Sequence, residues 1–273
     1  MKKKWIILLY VLVMLGAVGA SVYEFYNKGS LDKSNLTRTV LIVVGALLGM
    51  TKNLSRNKVS FAKKQELYEK TYGAHMGNAF ASMPKEKKVL FRSLDDFNND
   101  KYASAIKKLE GLQESCRALP EQRAISFFLG LNYDRMGEYD RAIPHYERCL
   151  SLGGDATAAN NLASCYGELG DLDKQWDNLL RAVRIDPNYA TGHNNIGQFL
   201  VKMGEYKEAI EPLLEAYRLD SRLGSALSGL AICYAMTENR EQYEKAIHRM
   251  VGLGKDPTNT KEYIRYLNPS FEV

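Results

Sequence analysis

ATGHNNIGQFLVKMGEYKEAIEPLLEAYRLDSRL, residues 190–223, reads as two helices and the turn between them. Ile196, Phe199 and Leu200 share one face of a helix running from about Thr191 to Met203. Gly204 follows, where a helix ends most easily on a residue that tolerates the left-handed conformation. A second helix, from Glu205 to about Leu219, places Tyr206, Ala209, Ile210, Leu213, Leu214, Ala216 and Tyr217 at helical spacing. The small residues Gly197, Ala209 and Ala216 let the two axes approach, and Leu200, Tyr206 and Leu213 fill the space beside them.

The same unit recurs upstream and downstream. Leu129, Leu162, Ile196 and Leu230 are spaced 33, 34 and 34 residues apart. Gly130, Ala163, Gly197 and Ala231 keep that spacing, as do Tyr133, Tyr166, Leu200 and Tyr234, and Cys149, Ala182, Ala216 and Met250. Gly137, Gly170 and Gly204 form a turn column, and Tyr139, Leu172 and Tyr206 another. A period in this range means a solenoid whose units bury their faces against each other. Clear units run over 123–155, 156–189 and 190–223, with Asp186-Pro187 closing the second. The unit 224–257 is degenerate: Glu238 replaces the turn glycine and Tyr243 enters the small-residue column. In 85–122 only the second helix is legible, through Tyr102, Ala105 and Leu109, and a short helix over 258–267 caps the stack.

These columns resemble the tetratricopeptide repeat. Leu129-Gly130-Leu131-Asn132-Tyr133 and Leu162-Ala163-Ser164-Cys165-Tyr166 match its L-G-x-x-Y element. Gly137-Glu138-Tyr139 with Ala142, and Gly204-Glu205-Tyr206 with Ala209, match its turn and following alanine. The resemblance implies an all-α solenoid of helix-turn-helix repeats that binds a protein or peptide partner along a concave face lined by the first helix of each unit.

On those helices the groove-facing positions are Thr157, Asn160, Asn161, Ser164 and Glu168, then Thr191, Asn194, Asn195, Gln198 and Lys202 one period on. The preceding unit adds Phe127, Leu131 and Arg135, and the following one Ser225, Ser228 and Ile232. Asparagine pairs 34 residues apart make a ladder of amide donors and acceptors, suited to the backbone of an extended peptide. The other reading is that the amides bond neighbouring helices and fix the repeat geometry. Related chaperone-binding repeats clamp a C-terminal carboxylate with lysine and arginine. Phe127, Asn160, Asn194 and Ser228 stand in those slots here, which argues against a chaperone-tail receptor.

Residues 1–55 read as a membrane anchor. The run Trp5–Tyr23 is 19 residues without a charge, about 28 Å of helix, enough to span a bilayer. A shorter uncharged run, Thr39–Thr51, makes a second span and a hairpin, with a single-pass anchor as the alternative. Lys2, Lys3 and Lys4 precede the first run, and Lys52, Arg56, Lys58, Lys63 and Lys64 follow the second. Positive flanks stay inside, so both termini are expected in the cytoplasm. Ala17-Val18-Gly19-Ala20 also fits a signal-peptide cleavage site. If the second run failed to insert, the repeats would lie outside, as in an envelope-assembly or secretion factor. Gly45 and Gly49, with Gly16 and Ala20, allow the helices to pack or copies to self-associate.

Residues 1–64 hold 11 Lys and Arg against 2 Asp and Glu, a net of +9 in a chain of +5, which leaves −4 for residues 65–273. The basic balance therefore belongs to the membrane flank, near anionic lipid headgroups, and gives the repeats no nucleic-acid footprint. Residues 56–84 are either a basic linker or an additional packing helix, with Phe61, Leu67, Tyr68, Tyr72 and Met76 at helical spacing and Gly73 and Gly77 against it. Cys116, Cys149, Cys165 and Cys233 form no CxxC pair and read as buried thiols. The four histidines lack metal-ligand spacing and no nucleophile or phosphate-loop motif is present, so no cofactor, metal or catalytic residue is expected. Gly197→Ala is expected to be neutral or slightly stabilising, since glycine is a poor helix former.

Overall fold

A computed structural model of the chain describes residues 61–273. The two apolar runs read as membrane spans lie outside these residues. Among the described residues no helix is long and apolar enough to cross a membrane. The chain divides between Leu67 and Tyr68, and the packing described here belongs to the unit Tyr68–Val273.

The described residues form twelve α-helices and no strand. A leading helix, α1 (Phe61–Met76), precedes five helix pairs. These are α2 (Pro84–Phe97) with α3 (Tyr102–Ser115), α4 (Leu119–Arg135) with α5 (Tyr139–Ser151), and α6 (Ala156–Glu168) with α7 (Leu172–Ile185). Then come α8 (Ala190–Met203) with α9 (Tyr206–Leu219), and α10 (Gly224–Met236) with α11 (Arg240–Gly252). A single helix, α12 (Thr258–Leu267), follows. Ile264 on α12 is fully buried and stands 34 residues after Leu230, so α12 occupies the place of the first helix of a sixth unit.

The columns become the core. Leu129, Leu162 and Leu230 are buried, and Ala142, Ala163, Ala182, Ala209, Ala216 and Ala231 are fully so. Where the small residue is glycine, the partner helix presses in. A Cβ at Gly130 would stand 2.9 Å from the ring of Tyr146 on α5. A Cβ at Gly197 would stand 2.6 Å from Leu213 Cδ2 on α9 and nearer still to its Cγ. A Cβ at Gly229, on the next unit, would meet Leu213 Cδ1 at 2.9 Å. Leu213 is thus wedged between two glycines of neighbouring repeats, with no exposed surface. This overturns the expectation for Gly197→Ala: the methyl group has no room unless Leu213 moves. All four cysteines are buried free thiols. Burial pushes Cys149, Cys165 and Cys233 up to about 12, so none is poised as a nucleophile.

Every turn within a pair has one left-handed residue two positions before the second helix. Gly137, Gly170 and Gly204 have φ of +74°, +79° and +82°. The outer pairs put side chains there instead, Asp100 at +60° and Glu238 at +57°. The left-handed region costs a side chain about 1–2 kcal/mol. Glycine removes that cost but gains about 0.4–1 kcal/mol of unfolded-state freedom. Glu238→Gly is therefore expected to stabilise the chain by about 0.5–1 kcal/mol, measured by urea unfolding, and Gly204→Ala to destabilise it by about as much. A destabilising Glu238→Gly would mean that the Glu238 side chain holds the turn by contacts of its own.

Candidate functional site

Bonds between successive first helices show that α6, α8, α10 and α12 line one face side by side, and α4 packs beside α6. Asn195 Nδ2 donates to Asn160 Oδ1 across α8 and α6 at 2.8 Å. Gln198 Nε2 donates to the Ser225 carbonyl at 2.9 Å, and Ser225 Oγ donates to Asn194 Oδ1 at 3.0 Å, both across α10 and α8. Ser228 Oγ and Thr260 Oγ1 lie 2.8 Å apart across α10 and α12. Within α8, Asn194 Nδ2 reaches Asn195 Oδ1 at 3.2 Å. The amides expected to receive a peptide are therefore linked into one chain, Ser225–Asn194–Asn195–Asn160, that stitches three repeats together. Asn160 and Asn194 are buried, which fits this structural use. Asn161 donates to the Tyr146 hydroxyl at 3.3 Å, and Ser164 Oγ to the Asn160 carbonyl at 3.2 Å.

The face divides into three zones. At its N-terminal end Phe127 is only 3 % exposed, because α1 lies over it. The ring of His75 stacks on Phe127 at 4.0 Å and 14°. Tyr72 meets Phe128 edge-on at 5.6 Å, and Tyr68 stacks on Phe91 at 6.1 Å. Polar bonds pin the same segment. The Tyr68 hydroxyl donates to Asp95 at 2.9 Å, and the Phe80 backbone N–H donates to Glu121 Oε1 at 2.9 Å. His75 Nδ1 lies 2.7 Å from Asp155 Oδ2. Burial works to raise the Asp155 carboxyl, but the bond from His75, its charge and the N–H groups of Ala158 and Thr157 hold it below the usual range. Asp155 also caps α6, accepting from Ala158 N at 3.1 Å. The stretch of α1 from Tyr68 thus packs on the first helices, and Phe127 is the seat of His75.

The middle zone is uncovered. Arg135, Ser164, Glu168 and Lys202 are exposed, and Leu131, Asn161 and Gln198 half-buried. Arg135, Glu168 and Lys202 form no ion pair among the described residues. Burial raises the carboxyl of the neighbouring Asp134, which the Tyr146 hydroxyl reaches at 3.4 Å. At the far end Ile232 is buried, while Tyr263 and Tyr266 on α12 stand open, Tyr266 at 80 % exposure. Neither tyrosine is singled out by the columns, because the match to the repeat pattern fades before α12. No group of three or more His, Cys, Asp or Glu able to hold a metal ion occurs among the described residues.

Two family models meet on this part of the chain, both described as tetratricopeptide repeat, one over residues 127–190 and one over 190–222. Residues 127–222 are tetratricopeptide repeats. It is 24% identical over 169 residues to Hsp70-Hsp90 organizing protein 1 of Glycine max, covering 58% of this chain and 30% of that one. It is 31% identical over 103 residues to mitochondrial import receptor subunit TOM70 of Saccharomyces cerevisiae, covering 32% of this chain and 17% of that one. The chain therefore spans less than a third of the length of these curated relatives. Among solved structures, MamA superposes with a TM-score of 0.53 at 19% identity, covering 59% of this chain and 94% of that one. YrrB, a tetratricopeptide repeat protein with an unusual peptide-binding site, gives 0.51 at 17%, covering 69% and 96%. A repeat protein of Parabacteroides merdae gives 0.57 at 20%, covering 67% and 73%. At these identities the likeness is one of fold.

Proposed function

We propose that this chain is a membrane-anchored adaptor that holds a protein or peptide partner on the uncovered zone of the repeat face. The supporting observation is that this zone presents Arg135, Glu168 and Lys202 without ion-pair partners among the described residues, one per repeat and alternating in sign. Beside them Met136, Leu169 and Met203 are all exposed. Charge sets the register of a partner, and apolar contact supplies affinity. The partner contacted here is one whose own charges alternate in the opposite order. YrrB has a peptide-binding site and TOM70 is an import receptor subunit, which supports a binding role for repeats of this kind.

The anchor is residues 1–55, two spans with both termini in the cytoplasm and basic flanks at the lipid headgroups. The reading rests on the lysine asymmetry. A photo-crosslinking residue placed at Ser164 or Lys202 in the full chain should trap a discrete protein in cells, whereas one at the exposed Asp177 on α7 should not. Equal trapping from all three positions would defeat the groove assignment. A periplasm-type reporter, active only outside the membrane, should stay silent after Val273 and be active near Asn35. The opposite pattern would move the repeats outside and turn the protein into an envelope factor.

A further inference from the structure

The floor of the repeat face changes character along its length. At equivalent positions on successive first helices stand Leu90 and Phe91, then Phe127 and Phe128, and then the amide pairs. The four apolar side chains are all buried, and the segment from Tyr68 to Phe80 covers Phe91, Phe127 and Phe128.

Two features mark that cover as a makeshift ligand. Gly73 sits in the last turn of α1 with open space around its Cα: a Cβ there would meet nothing within 4 Å. Packing does not demand a glycine, so α1 forgoes helix stability without steric cause. The second feature is Glu121, 7 % exposed beneath the turn that follows α1. Its Oε1 accepts the Phe80 N–H, but its Oε2 is buried and has no hydrogen-bond partner. A buried carboxylate oxygen left unmatched is destabilising, and a cation is its strongest match. Two more carboxylates, Asp95 and Asp155, receive donors from the same segment. The floor is thus apolar and ringed by three acids, while the occupant meets Glu121 with a neutral N–H.

We propose that this N-terminal half of the face is a second docking site, separate from the uncovered zone. Its partner is a basic amphipathic helix. The helix carries aromatic residues one turn apart over Phe91 and Phe128, and a lysine or arginine about two turns further on over Glu121. Residues 68–80 are its resident occupant, displaced when that partner binds.

The test uses the full chain carrying Tyr72→Ala and His75→Ala to loosen α1, with His75→Ala alone as a milder form. The probe is a fluorescein-labelled peptide of residues 64–82, followed by anisotropy. Three further peptides carry lysine at Asn78, Ala79 or Ala81. The native peptide should bind the loosened chain at least tenfold tighter than the unaltered chain. At least one lysine peptide should bind threefold or more tighter than the native one, and Glu121→Gln in the chain should erase that gain. A loosened chain that stays folded by circular dichroism yet binds the native peptide no better than the unaltered chain overturns the proposal. So does the absence of any lysine gain, or a gain that survives Glu121→Gln.

Discussion

Gly197→Leu should destabilise the solenoid by about 3 kcal/mol, the upper end for overpacking a close-packed site. For a unit of this size that is a fall of roughly 6–12 °C in Tm. The position admits no Cβ beside Leu213, and Leu213 is hemmed from the other side by Gly229. Gly197→Ala should also destabilise, by about 1 kcal/mol, even though alanine is the better helix former by about as much. The sign should reverse once Leu213 is shortened. Leu213→Ala alone costs about 2–5 kcal/mol through the cavity it leaves. In that background Gly197→Ala should become neutral or stabilising, because the methyl group then enters space the leucine has vacated. A double-mutant cycle with no coupling between the two positions would show that Leu213 swings aside at no cost.

Replacing Asn160, Asn194 and Gln198 together by alanine should lower stability by about 2–4 kcal/mol, taking about 0.5–1.5 kcal/mol for each lost bond. Asn195 Nδ2 would lose its acceptor on α6, and Ser225 would lose both the acceptor for its hydroxyl and the donor to its carbonyl. Partner capture should fall only in proportion to the folded fraction. A triple variant with an unchanged melt and weakened capture would instead return these amides to peptide recognition.

The repeats were legible because the physics that builds them is periodic. A small residue facing a large one, and a glycine at each left-handed turn, must recur wherever the same pair of helices recurs. Leu129, Leu162, Ile196 and Leu230 carry that signal from α4 to α10. It fails where a side chain does glycine's task, at Asp100 and Glu238, and there the pairs look degenerate although their turns have the same left-handed geometry. The first pair also runs on a longer step: Tyr102 stands 37 residues before Tyr139, which hides α2 from a 34-residue comb.

The groove was harder to read. Helical spacing places Phe127, Asn160 and Asn194 on the right helices, but it says nothing of what lies over them. Phe127 is covered by α1, and the amides find each other, because bonds across 31 and 35 residues of sequence leave no local trace. Tyr68, Tyr72 and Met76 gave a hint of α1, and Gly73 and Gly77 masked it.

The uneven turns carry a kinetic implication. In a stack where each unit touches only its neighbours, stability is a sum of unit terms and interface terms, and melting begins where the sum is poorest. The pairs bearing Asp100 and Glu238 hold strained turns, while the three glycine turns lie between them. The array should therefore fray inward from both ends, with α4 to α9 the last to open. The uncovered face, which runs from Arg135 to Lys202, then sits on the most persistent stretch of the molecule. The aromatic seat of α1 straddles the more pliant first pair, so the two ends of the same face differ in lifetime as well as in chemistry.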